Sequence, residues 1–217
     1  MNIEQARFNM IEQQIRPWNV LDAGVLALLA VVKREDFVPT AYKSAAFMDT
    51  ELPLPGGQQM LAPRLEARLL QTLNVSRHEK VLEIGTGSGF MAALLGHKAQ
   101  RVFSLETNPE LAALARENLR RSGVRNVVVQ EQDGVHGLAG EAPFDAILLS
   151  GSVAEVPPQL LNQLKVGGRL LAIVGDEPVM RARLVTRVGD NEFRGVDLFD
   201  TIAPRLQGFG ERSGFAF

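Results

Sequence analysis

A chain of 217 residues, 46% of them hydrophobic, is long enough for one domain with a sizeable core. Its formal net charge of -2 (23 basic, 25 acidic residues) and the lack of any long Lys/Arg run argue against a general nucleic-acid binder. Cysteine is absent, which excludes thiol nucleophiles, disulfide frameworks and Cys zinc sites and fits a reducing compartment; no metal ligands are singled out in the sequence.

The opening MNIEQARFNM has no signal-peptide core. The apolar run from Val20 to Val32 carries Asp22 and falls short of the roughly 20 residues of a spanning helix, so a cytoplasmic protein without a membrane partner is expected. Phe8, Ile11 and Ile15 then mark one helical face, and Leu21, Val25, Leu28, Leu29 and Val32 another, with Pro17 and Pro39 ending the two helices. MDTELPLPGGQQMLAP, Met48 to Pro63, reads as a structured loop feeding a helix that begins near Arg64 and ends at Leu73.

From Lys80 the chain changes character. KVLEI, RVFSLE, NVVVQEQ and FDAILLS are short β-rich runs of the kind buried in a parallel sheet, and helices separate most of them. The helix after Glu106 has Asn108 to cap it, Pro109 and Glu110 in its first turn, Arg120 and Arg121 in its last, and Gly123 to stop it. A short helix in VPPQLLNQL, the turn KVGG and the strand RLLAIVG follow. Val179–Val188 and Glu192–Ala203, joined by GDN, read as an antiparallel hairpin. The expected architecture is a single α/β domain over residues 1–217, with a doubly wound, mostly parallel sheet and an antiparallel C-terminal edge hairpin. Residues 1–63 would form the N-terminal helices and loop, and residues 64–217 the ligand-binding core.

The first strand runs into VLEIGTGSGF, where Gly85, Gly87 and Gly89 would let a ligand approach the backbone of a loop that also contains Thr86. A dinucleotide site would space its glycines as G-x-G-x-x-G, whereas this loop has G-x-G-x-G. A pyrophosphate also disfavours a nearby acid, and Glu83 stands two residues before the first glycine. An acid beside bare backbone suits a cationic ligand such as S-adenosylmethionine, with its sulfonium and ammonium groups. Glu106 at the end of the second strand can accept both ribose hydroxyls, and Asp133, followed by Gly134 after the third, can face the adenine amino group. For Glu106 and Asp133 the competing reading is a solvated loop acid or a helix cap. Glu83, at the end of a buried strand, must find a partner.

EIGTGSGF, SLE, NVVVQEQDG, APFDAILLS and QLKVGGRLLAIVG resemble the ordered motifs of the protein-L-isoaspartate O-methyltransferases. RFNMIEQQI, VLDAGVLALLAVVKREDFVP and ELPLP are similar to that family's amino-terminal region, with KREDFVP a family-specific mark. The resemblance implies methyl transfer from S-adenosylmethionine to the α-carboxylate of an isoaspartyl residue in a damaged protein or peptide. Such a carboxylate is already an anionic nucleophile at neutral pH, so no His or Cys base is required. His78, His97 and His136 are accordingly dispersed, the first two read as surface residues and the third close to Asp133 without an assigned role.

The chain departs from the family where its acceptor loop normally reads G-Q-T-I-S-x-P: here the stretch is GQQMLAP, with Gln59 at the Thr position and Leu61 at the Ser position. Leucine cannot donate a hydrogen bond. Another small acceptor, or a noncatalytic cofactor-binding protein, therefore stays open beside the repair reaction. Arg64, just after the loop, is either a carboxylate clamp or a solvated helix residue beside Glu66 and Arg68. IAPRL, Ile202 to Leu206, is expected to take the place of the family's terminal strand, with a Gly-rich polar tail after it.

Overall fold

A computed structural model describes residues 2–210, and seven of its strands form one sheet. They are β3 (Lys80–Ile84), β4 (Arg101–Glu106), β5 (Val127–Glu131), β6 (Phe144–Val153), β7 (Leu164–Asp176), β8 (Val179–Arg187) and β9 (Phe193–Thr201), preceded by a separate ribbon of β1 (Leu52–Pro53) and β2 (Gln59–Met60). The sheet order is β5-β4-β3-β6-β7-β8-β9, parallel from β5 to β7 and antiparallel at β8 and β9. The mostly parallel sheet with its edge hairpin is therefore as the sequence predicts. The strand order reverses between β3 and β6, the position at which open α/β sheets bind ligands.

Alternation along the strands divides the core in two. Val81, Val102, Ala146 and Leu148 face the layer formed by α3 (Pro63–Leu73), α4 (Phe90–Lys98), α5 (Pro109–Arg121) and the N-terminal helices. Leu82, Ile84, Phe103, Ile147 and Leu149 face the other side, which is covered more thinly by α6 (Pro158–Leu161) and irregular segments. The caps of α5 are as read: Asn108 Oδ1 accepts from the N–H groups of Glu110 and Leu111, and Gly123 has φ +75°.

Three expectations about the amino terminus need correction. Phe8 does not share a buried face with Ile11 and Ile15: it is 58% exposed, and Met10 and Arg7 are buried instead. The helix α1 (Ile3–Asn9) passes into a π-helical stretch over Met10–Ile15, and the wider turn rotates the buried face away from a 3.6-residue count. Nor does Pro39 end the second helix, because α2 (Ala23–Val31) stops before an extended Val32 and Lys33. That break lets Arg34–Asp36 form a 3-10 turn that drives Arg34 into the core at 1% exposure. Leu21 is exposed as well, since it precedes the Asp22 cap of α2.

Candidate active site

The glycine loop after β3 has positive φ at all three of its glycines, +92° at Gly85, +54° at Gly87 and +85° at Gly89. A Cβ on Gly89 would meet the Ala115 backbone at 3.2 Å, so the third glycine lets α4 start against α5. The loop is fastened from beneath. Gly85 and Thr86 donate their N–H groups to the Leu105 carbonyl at 2.9 and 3.2 Å.

Glu106 ties the loop to the next helix. One oxygen accepts the Gly87 N–H at 2.9 Å and the other the Asn108 N–H at 3.0 Å, so the carboxylate fixes the glycine loop and the start of α5 together. Each oxygen keeps a second lone pair for another donor.

Glu83 lies under the loop. It is fully buried, and the register Glu83↔Ser104 between β3 and β4 sets a hydroxyl beside it. Ser104 Oγ donates to it at 2.6 Å and Ser150 Oγ, at the far end of β6, at 2.8 Å. Thr86 Oγ1 joins the same chain through Ser104 at 2.6 Å, so the Thr86 hydroxyl faces inward. Burial pushes the Glu83 carboxyl up to about 8 against the two serine hydrogen bonds, with Glu66 and Glu106 adding like charge. Its reach toward a ligand runs through Ser150, whose carbonyl borders Gly85.

Asp133 is exposed and closes a turn on the Val135 N–H at 2.9 Å, while Gly134 packs so tightly on Ile84 that a Cβ there would fall 2.3 Å from it. A segment missed as part of the site completes it. IAPRL runs beside the end of β6, where Ser152 N–H donates to Pro204 O at 2.7 Å and Leu206 N–H to Ser152 O at 2.9 Å. This carries Leu206 onto Gly85 and Gly151, and Gly208 onto the Asp133 carboxylate. The tail from residue 211 onward lies outside the described residues.

The acceptor loop approaches from the opposite side, with Leu54 against Gly87 and Gly56 against the Asn108 side chain. Gln59 is exposed on β2, whereas Leu61 is 5% exposed and belongs to the core. Leu61 thus acts as a packing residue at the position where the family carries a hydroxyl. Arg64 pairs with Asp49 at 3.1 Å and stacks 4.0 Å from the Trp18 ring centroid. Its sequence neighbour Glu66 is not solvated: it is buried and bonded to Arg34. His78, His97 and His136 are all exposed.

The arrangement fits S-adenosylmethionine: backbone laid bare by glycines, an anchored carboxylate with free lone pairs, a buried acid behind a serine, and no basic side chain in the loop. A family model described as protein-L-isoaspartate(D-aspartate) O-methyltransferase matches residues 5–202. Among curated relatives, the protein-L-isoaspartate O-methyltransferase of Koribacter versatilis is 44% identical over 181 residues, covering 83% of this chain and 81% of its own. One from Syntrophobacter fumaroxidans is 42% identical over 185 residues, 85% of this chain and 86% of the relative. A solved protein-L-isoaspartate O-methyltransferase superposes with TM-score 0.77 at 25% identity, over 91% of this chain and 65% of the other. A Plasmodium falciparum structure in complex with S-adenosyl-L-homocysteine has TM-score 0.76 at 20% identity, over 95% of this chain and 99% of the other, and bears on the fold alone. With a family match that spans both the acceptor loop and the glycine loop, the chain belongs to the protein-L-isoaspartate O-methyltransferase family.

Proposed function

We propose that this protein methylates the α-carboxylate of isoaspartyl residues in proteins or peptides, with S-adenosylmethionine as donor. The observation that carries the reading is the continuity of the family match across residues 5–202, which includes the acceptor-side segments as well as the donor cradle. S-adenosylmethionine supplies an electrophilic methyl group on sulfur. The acceptor carboxylate is ionised at neutral pH, so the chain's contribution is alignment and exclusion of water rather than proton transfer.

Residue by residue, Glu106 would hold the ribose hydroxyls, Gly85, Gly87 and Gly89 would border the donor, Ser150 backed by Glu83 would sit near its cationic end, and Asp133 with Gly134 would border the adenine. Glu106→Ala should weaken S-adenosylhomocysteine binding roughly 10- to 150-fold, the worth of a hydrogen bond to a charged group. Calorimetric titration of the folded variant checks this, and unchanged affinity would remove Glu106 from the site.

Buried Leu61 and exposed Gln59 favour a second reading, a methyltransferase whose acceptor differs from that of its relatives. Incubation with methyl-labelled S-adenosylmethionine and a matched isoaspartyl/aspartyl peptide pair separates the two. Label on the isoaspartyl peptide only is the expected result. Cofactor binding with no label on either peptide would favour the second reading or a noncatalytic binding protein.

A further inference from the structure

A groove of about 550 Å³ lies beside the acceptor loop, between α3 and the edge hairpin. One wall is Trp18, Arg64 and Arg68; the other is Met180, Phe199 and Ile202. Ala62 of the acceptor loop lines it too, and Ile202 begins the IAPRL segment that delivers Leu206 to Gly85. The groove therefore runs alongside the place where an acceptor must meet the donor.

Its two arginines, one helical turn apart on α3, are not equivalent. Arg64 is neutralised by Asp49 and packed on Trp18. Arg68 sits over Phe199, its guanidinium carbon 3.7 Å from the ring centroid, with no carboxylate paired to it among the described residues. Burial alone moves its pKa, downward, and no acid figures among the causes. It nevertheless stays charged at neutral pH.

Three acids also line the groove. Asp49 is taken by Arg64, and Asp200 lies 3.3 Å from Arg181. Glu51 is pushed up by burial and by Glu177, not by either arginine. Among the groove's charged side chains, Arg68 is thus a cation with no acid bonded to it among the described residues. A guanidinium held over a ring by its carbon and not bonded to an acid keeps N–H donors available for a carboxylate.

We propose that this groove holds the acceptor polypeptide next to its methylated residue, and that Arg68 pairs there with an acidic side chain, making an acidic flank a specificity determinant. The proposal rests on the isoaspartyl reading above for its substrate class. A polypeptide fits better than a small anion, because Trp18, Leu65, Met180, Phe199 and Ile202 offer apolar surface beside the Arg68 guanidinium in a groove of about 550 Å³.

Trp18 is the only tryptophan in the chain, and its place on the groove wall makes its emission a reporter of occupancy that does not depend on methyl transfer. Tryptophan-free isoaspartyl hexapeptides, differing only in Glu, Gln or Lys at each flanking position in turn, would be titrated while that emission is followed. At one position the Glu peptide should bind about tenfold tighter than the Gln peptide, with Lys weakest. In R68Q the three should converge to within about twofold, with S-adenosylhomocysteine affinity as in the parent. R68K, which keeps the charge and loses the planar fork, should fall between.

Equal binding of the three peptides in the parent would overturn the proposal. So would unchanged Trp18 emission for a peptide that calorimetry shows bound, or equal weakening of all three in R68Q. Label transfer measured on the same peptides keeps the readings apart. Transfer without flank preference sinks the Arg68 subsite and leaves the isoaspartyl reading; flank-selective binding without transfer does the reverse.

Discussion

Arg34→Met should destabilise the fold by roughly 3–5 kcal/mol, the cost of breaking a buried ion pair from one side. Arg34 is 1% exposed and its guanidinium is fully engaged: it pairs with Glu66, donates to Leu61 O at 2.7 Å and Ala46 O at 3.1 Å, and lies 5.3 Å from the Phe90 ring centroid. Burial pulls the Arg34 pKa down and pushes Glu66 up to about 7, so neither charge is comfortable without the other. Removing the cation leaves a buried carboxyl and two carbonyls without a donor, which is why the loss should exceed that of an ordinary Arg truncation.

For a chain of this length the loss corresponds to a fall in melting temperature of roughly 10 °C. Urea unfolding measures it directly, with the midpoint falling and the slope unchanged. R34M/E66L, which removes both charges and fills the space with apolar atoms, should recover most of the stability. An R34M variant within about 1 kcal/mol of the parent would mean that the pair is not the anchor it looks to be. Because Arg34 grips the Leu61 carbonyl, R34M should also loosen the acceptor loop, while R34M/E66L should stay folded with the loop still unanchored. Peptide affinity measured in the double variant separates those two effects.

The shape of the glycine loop and the start of α5 are legible in the sequence because they are local: the glycines, Glu106, Asn108 and Pro109 lie within a short stretch whose geometry follows from strand–loop–helix spacing. Partners set by tertiary contact are not. KREDFVP stood out as a motif, but Arg34 reaches residues 12, 27 and 32 positions away, and no periodicity predicts that. The need of a buried Glu83 for a partner is readable from the strand, but that Ser104 and Ser150 supply it follows only from strand register. Phe8 was put on the wrong face because one π-helical stretch is enough to break the count. The Leu61 substitution was visible, while its consequence, a side chain turned into the core, needed the fold. The Arg68 groove joins α3 to a hairpin more than a hundred residues later, so only the folded chain assembles it.

Glu83→Gln should change how stability depends on pH, with an effect that grows up to about pH 8 and holds above it. The carboxyl rises from an ordinary 4.5 to about 8 in the folded chain because it is fully buried with serine hydroxyls and no cation. Below pH 4.5 folded and unfolded chains both carry the proton, and the group contributes no slope. Between 4.5 and about 8 the unfolded chain has lost it and the folded chain keeps it, so rising pH favours unfolding. At about 1.4 kcal/mol per pH unit this removes about 5 kcal/mol across the window, and above it both forms are charged and the slope vanishes. Glutamine keeps the shape, donates and accepts to the same two hydroxyls, and cannot ionise. The difference in unfolding free energy between E83Q and the parent should therefore grow through that window in favour of E83Q and then level off. Urea midpoints at pH 5, 6, 7, 8 and 9 measure it. Parallel curves would mean that Glu83 is ionised at neutral pH, with a compensating positive charge that the buried serine chain does not supply.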